Sequence, residues 1–169
     1  MRKFLTLMAA TLTILGFTRI AGAEGLNTQD YIDIEQLYAT YNHAIDAGDG
    51  EAWAATFTPD GTFNKFAGHD QLVGFIQQWQ EKMNGGYRRH WNTNLRIVPS
   101  KDGASASVFL MLVDVTTKSI VATGMYNDTL VKTASGWRFK TRQTKMDAAP
   151  PAPAAPPAPS APPAPAPKQ

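Results

Sequence analysis

At Asn84-Gly85-Gly86 the hydrophobic rhythm of the chain changes period, and no other feature limits the fold as much. Before this point apolar side chains recur every three or four residues. After it they come in runs of strand length divided by short polar breaks. Ile34, Leu37, Tyr38, Tyr41 and Ile45 mark a helix from a cap at Asn27 or Thr28 to about Ala47, stopped by Gly48-Asp49-Gly50. A shorter helix is predicted through 51–57, closed by Pro59-Asp60-Gly61, a turn signal leading into a short strand near 62–66. A third helix follows, with Asp70 at its N-cap position and Leu72, Phe75, Ile76, Trp79 and Met83 as its apolar stripe. Strands are then predicted at about 87–98, 104–115, 119–132 and 136–146. The breaks between them are hairpin-sized, so the four strands should pair as an antiparallel meander.

Helices first and a curved antiparallel sheet afterwards define an α+β class. A twisted sheet curling around a small helical pack leaves a closed-ended pocket, where a small hydrophobic molecule would bind. The stretch Val108-Phe109-Leu110-Met111-Leu112-Val113 adds a constraint, because it is apolar at every position instead of alternating. Both faces of that strand should be covered. Helices can cover only one, so the expectation for the outer sheet face is a second copy of the chain in a homodimer.

Neither end of the 169-residue chain fits this core. Met1-Arg2-Lys3, an apolar run from Phe4 to Phe17 and the small residues Ala21-Gly22-Ala23 read as a secretory signal over 1–23, with a retained anchor as the alternative. The mature protein would then be periplasmic or secreted, with no stable membrane anchor. Residues 148–169 hold ten prolines and nine alanines, a composition for a solvated polyproline-type tail and not for a core. The domain is therefore expected over 24–147, long enough to bury roughly two thirds of its unfolded surface. The chain has no cysteine, which removes disulfides, thiolate nucleophiles and Cys-type metal sites. A net charge of +2 without a long basic run speaks against nucleic acid as a partner.

Proton-transfer candidates are few. His69, in Gly68-His69-Asp70, and His43, off the apolar stripe of the first helix, read as surface residues. His90 differs, because it starts a strand at the end of the sheet where a pocket mouth would lie. Tyr41 and Asp46 close the first helix, five residues and about 140° apart, so spacing alone does not place them on one face. Strand parity raises a difficulty: Trp91, Leu95 and Ile97 share one face while His90, Asn92, Asn94 and Arg96 share the other. Arg142 stands in the same relation to Trp137 and Phe139. Either the polar parity faces a hydrated pocket, or a bulge switches the faces partway along the strand. Three scattered histidines offer no zinc-ligand spacing.

The segments YNHAIDAGDGEAWAATFTPDGTF (41–63), RHWNTNLRI (89–97), GMYNDTLV (124–131) and GWRFKTR (136–142) resemble the SnoaL-like branch of the cone-shaped, nuclear-transport-factor-2-like fold. The likeness covers nearly all of 27–144. Its nearest catalytic pattern is that of scytalone dehydratase and the bile-acid 7α-dehydratases, which pair a helix aspartate, matched by Asp46, with a strand histidine, matched by His90. The bile-acid enzymes add a tyrosine matched by Tyr41, an aspartate in the next strand matched by Asp114 and an arginine in the last strand matched by Arg142. The second histidine of the scytalone enzyme has no counterpart, and its tyrosine beside the helix aspartate is Ile45 here.

The resemblance implies a cofactor-free lyase or isomerase acting on a small hydrophobic carbonyl compound, or else a non-catalytic binding or dimerisation module of the same fold. In the first case His90 is the general base, oriented by Asp46 or Asp114. Tyr41 donates where negative charge develops, and Arg142 holds an acidic group. Tyr126, Asp128, Trp53 and Phe57 are the further side chains expected to touch substrate. Neither a metal nor an organic cofactor is expected.

Overall fold

The computed structural model describes residues 25–148, so the signal expected over 1–23 and all but the first residue of the tail expected over 148–169 lie outside the described residues. Helix α1 (Thr28–Ala47) begins at Asn27, whose side chain accepts from Asp30 N while the Asp30 carboxylate accepts from Asn27 N, a reciprocal capping box. It ends at Gly48, where φ is 72°, a left-handed conformation that a side chain would strain. The short α2 (Gly50–Ala54) follows, then strands β1 (Phe57–Phe63) and β2 (Phe66–Ala67), helix α3 (His69–Met83), and the long strands β3 (Arg88–Ser100), β4 (Gly103–Asp114), β5 (Ser119–Thr133) and β6 (Gly136–Met146). One six-stranded sheet results, in the order β2-β1-β6-β5-β4-β3. The meander from β3 to β6 is antiparallel, as its hairpin-sized breaks require. The sheet as a whole is mixed, because β1 lies parallel to β6.

Three local expectations are corrected. The second helix stops at Ala54 and the strand begins at Phe57, because Phe139 N donates to Thr56 O and draws the chain onto β6. Pro59-Asp60-Gly61 is thus an irregularity inside β1 and not a turn ahead of it. Gly61 is needed there, since a Cβ would come within 2.9 Å of Phe57 Cβ and 3.0 Å of Phe139 O. The N-cap of α3 is Gly68, two residues before Asp70, which stands in the first turn.

Both parity difficulties are resolved by bulges. In β3 the register slips between Thr93 and Arg96, with Asn94 at φ 56°. His90 therefore points inward before the slip, and Leu95 and Ile97 pack against the core after it. In β6 the slip opposite Thr129 and Leu130 leaves Lys140 without a partner in the register, so Trp137, Phe139 and Arg142 all face the interior.

The core fills the space between α1, α2 and the concave face of the sheet. Tyr41, Trp53, Phe57 and Phe139 form a contiguous aromatic block with ring centroids 5.1–6.0 Å apart. In β4, Val108, Leu110 and Leu112 enter this core, whereas Phe109 faces outward at 46% exposure. The outer face also carries Trp91 and Ile120 at 56% and 57% exposure, so within one chain this surface is uncovered. No helix among the described residues is long and apolar enough to cross a membrane.

Candidate functional site

The last turns of α1 cross the start of β3, and two side chains one helical turn apart hold the two together. Asn42 Nδ2 donates to Asn92 Oδ1 at 2.7 Å, and Asp46 lies against His90. The i, i+4 spacing on the helix meets the i, i+2 spacing on the strand. Asp46 accepts from His90 N at 3.1 and 3.2 Å and from His90 Nδ1 at 2.7 Å. A carboxylate only accepts, so Nδ1 carries the proton in this pair and the lone pair of the neutral ring sits on Nε2. Both side chains are buried, at 4% exposure for His90 and 8% for Asp46, and Arg89 Nη1 lies 3.8 Å from the outer carboxylate oxygen. The Asn42–Asn92 brace escaped the reading of the sequence, because two neutral amides fifty residues apart carry no spacing signal.

His90 is part of the wall of a cavity of about 480 Å³ between α3 and the sheet. Phe63, Phe75, Trp79, Leu110 and Leu112 form its apolar sides, and Tyr126, Asn64, Thr144, Lys82 and Arg88 are its polar wall residues besides His90. The stripe of α3 divides accordingly: Leu72 and Ile76 are sealed in the core, while Phe75 and Trp79 stay half-buried facing the cavity. The rings of Trp79 and His90 lie 6.2 Å apart.

Tyr126 belongs to a second assembly behind that wall. Arg142 is fully buried and forms a two-pronged pair with Asp128, Nε to Oδ1 at 2.9 Å and Nη2 to Oδ2 at 2.7 Å. Tyr38 Oη donates to the same carboxylate. The guanidinium lies 4.0–4.6 Å from the ring centroids of Tyr38, Tyr41, Tyr126 and Phe139. Burial works to lower the proton affinity of Arg142, but the charge and hydrogen bonds of Asp128 outweigh it and hold the guanidinium above its usual range. Burial raises all three tyrosines of this assembly, so they are neutral phenols in the folded protein.

Several candidates therefore occupy other places than the dehydratase pattern implies. Tyr41 is fully buried outside the cavity wall, and its hydroxyl has no hydrogen-bond partner among the described residues. Asp114 does not orient His90; its carboxylate accepts from Thr117 N at 2.9 Å and caps the β4–β5 turn, which lowers its pKa. Asp128 serves Arg142 and not a ligand. Trp53 and Phe57 are sealed in the core, and the aromatic walls come from Phe63, Phe75 and Trp79 instead. His43 and His69 are exposed, the latter 3.0 Å from Glu51 and 3.2 Å from Asp70. Among the described residues no three His, Asp or Glu side chains are grouped to hold a metal ion.

The model of the SnoaL-like domain matches residues 27–143, most of the chain, from the cap of α1 to within three residues of the end of β6. The chain belongs to the SnoaL-like domain family. Among solved structures, the SnoaL-like chain is similar to a Nostoc punctiforme protein of unknown function with a cystatin-like fold, at 24% identity over 73% of this chain and 96% of that one, with a TM-score of 0.64. It is similar to ActVI-ORFA from Streptomyces coelicolor, at 23% identity over 72% and 98% of the two chains, with a TM-score of 0.62. It is also similar to a Catenulispora acidiphila protein in complex with S-DNPA, at 26% identity over 71% and 95%, with a TM-score of 0.64. These likenesses make the cone-shaped α+β fold, nuclear-transport-factor-2-like or cystatin-like, the architecture of this SnoaL-like domain. No curated protein matches it significantly.

Proposed function

We propose that this SnoaL-like protein is a cofactor-free lyase or isomerase acting on a small hydrophobic carbonyl compound, with His90 as general base and Asp46 as the residue that positions it. The observation that carries this reading is the 2.7 Å contact of Asp46 with His90 Nδ1 in the wall of an apolar cavity. Nε2 takes the proton from the carbon next to the carbonyl, and the C–H electrons pass to the carbonyl oxygen as an enolate. Asp46 stabilises the imidazolium so formed. Tyr126, a neutral phenol in the same wall, donates to the enolate oxygen. In an elimination the electrons return to expel a β-hydroxyl, which leaves as water with the proton from His90. In an isomerisation the proton returns to a different carbon.

The test needs no knowledge of the natural substrate. A panel of hydrophobic ketones and aldehydes is incubated with the protein in D2O, and mass spectrometry reads deuterium uptake or loss of water. Uptake by wild type that His90→Ala abolishes supports the reading, and equal uptake with both proteins contradicts it. A second reading, a binding module without turnover, draws support from Tyr41, which is sealed away and leaves the dyad without the acid that the dehydratase pattern has. The Catenulispora acidiphila protein, in complex with S-DNPA, is consistent with either. Ligands that raise the melting temperature yet never exchange would favour the second.

The setting we propose is outside the cytoplasm, periplasmic or secreted, supported by the signal-like opening 1–23. The proposed assembly is a homodimer through the outer sheet face, supported by the exposed Trp91, Phe109 and Ile120. Light scattering that shows a monomer for Phe109→Lys and a dimer for wild type supports it. A monomeric wild type at micromolar concentration contradicts it.

A further inference from the structure

The cavity that His90 lines has a polarity of its own. Its neutral polar lining is His90, Tyr126 and the pair Asn64 and Thr144, which hydrogen-bond each other; the rest is apolar but for two cations, and no carboxylate is part of its wall. Asp46 and Asp128 both lie behind it, one against His90 and the other against Arg142. Two cations stand at the opening instead: Lys82 in the last turn of α3 and Arg88 at the first residue of β3. Neither has an acidic partner within ion-pair distance among the described residues, although Asp114 is the cross-strand neighbour of Arg88; that carboxylate is engaged by Thr117 N. Arg88 is also held in place, its guanidinium 5.6 Å from the ring centroid of Trp79, a wall residue. An apolar hollow with two unpaired cations at its rim attracts one kind of small molecule before others.

We infer that the ligand of this cavity is an amphipathic anion: an apolar, ring-sized body that enters between Trp79 and the sheet, with a carboxylate, sulfonate or phenolate left at the rim against Arg88 and Lys82. The inference rests on the proposed function for the cavity but not for its chemistry. A charged group at the mouth fixes how deep the body sits, and thereby which carbon is presented to His90 Nε2. Arg88 supplies a planar fork for two oxygens, and Lys82 a mobile point charge. For the proposed proton transfer, the substrate is then a hydrophobic carbonyl compound that also carries an acid group.

A matched pair of dyes tests this. 8-Anilinonaphthalene-1-sulfonate and N-phenyl-1-naphthylamine share a ring system and differ by the sulfonate, and both report binding by fluorescence. The full chain should bind the sulfonate at least about tenfold more tightly, and the advantage should shrink as salt rises. Lys82→Gln with Arg88→Gln should erase the advantage by weakening the sulfonate far more than the neutral dye. Ala122→Trp, which fills the cavity from β5, should abolish both signals and so separate the cavity from the apolar outer face. Equal affinity for the two dyes, or an advantage that survives the double substitution, overturns the anion preference alone. Absence of binding by either dye overturns the cavity reading as well. His90→Ala should keep the sulfonate preference, so a failure of the proposed chemistry and a failure of the proposed ligand class give different results.

Discussion

Two carboxylates from neighbouring parts of the fold are both buried and both paired, yet they do different work. Asp128 is locked to Arg142 by two hydrogen bonds and to Tyr38 by a third, inside a cage of aromatic rings with no exposed surface. Asp46 holds one nitrogen of His90 and leaves the other unoccupied in a cavity wall. The first arrangement engages both oxygens of Asp128 and fixes the sheet to α1, with the charges neutralised locally in a medium where an unpaired one is costly, although Arg142 Nη1 and the Tyr41 hydroxyl have no partner among the described residues. The second leaves a titratable nitrogen facing a hollow. A sealed ion pair marks structure, and a free ring nitrogen beside a cavity marks chemistry.

The largest effect expected from this contrast is on turnover. For any compound that the wild type exchanges, His90→Ala should lower the rate by about 10² to 10⁴, and because it takes the Nδ1–H donor from buried Asp46 it should also cost about 1–3 kcal/mol of stability. A rate within a few-fold of wild type would erase the distinction between the two carboxylates. Arg142→Met tests the opposite side: it strands Asp128 as a buried charge and should cost about 3–5 kcal/mol in urea unfolding. Adding Asp128→Leu should return much of that loss. A single Arg142→Met that unfolds like wild type would show that the aromatic cage, and not the ion pair, holds this region.

Asp30 is the intermediate case and sharpens the comparison with pH. It accepts from Lys132 Nζ at 2.6 Å, from Trp137 Nε1 at 3.1 Å and from Asn27 N at 3.0 Å. The Lys132 hydrogen bond is the largest cause holding its pKa below the usual carboxylate value, with the Asn27 N–H next. A carboxyl depressed in the folded state adds stability that is complete above its unfolded pKa of about 3.9 and is lost as pH falls through the folded value. Asp30→Asn should therefore cost about 1–2 kcal/mol at pH 7. The gap from wild type should close in urea titrations below about pH 4. A gap independent of pH would mean that the charge contributes nothing.

The smallest effect belongs to Tyr41. Its hydroxyl is buried without a partner, so Tyr41→Phe removes an unsatisfied group and should shift stability by less than about 0.5 kcal/mol, or raise it. Exchange activity should stay within about twofold of wild type. A large loss of activity would return Tyr41 to the role that the dehydratase resemblance implies.

The architecture was legible where period and punctuation agree. The four long strands follow from hairpin-sized breaks, and α1 follows from its stripe, its cap and Gly48. The parallel pairing of β1 with β6 was not legible, because seven residues interrupted by Pro59 and Gly61 look like a turn until Phe139 is beside them. The inward side of β3 and β6 was not legible either, since a bulge inverts parity and leaves only a left-handed Asn94 or an unpaired Lys140 as its trace. The pairing of Asp46 with His90 came through the family resemblance alone; helix spacing says nothing about which strand crosses above. The same resemblance carried Tyr41 and Asp114 to positions where packing and a turn cap had already committed them.

The tautomer of His90 decides whether Asp46 leaves Nε2 free to take a proton. In protein labelled with ¹⁵N at histidine, long-range proton–nitrogen correlation spectra near pH 8 distinguish a protonated ring nitrogen from one with a free lone pair. A proton fixed on Nδ1 and a lone pair on Nε2 are expected in wild type, with that preference lost in Asp46→Ala. A proton found on Nε2 in wild type, or two nitrogens averaging as in free imidazole, would contradict the role of His90 as general base.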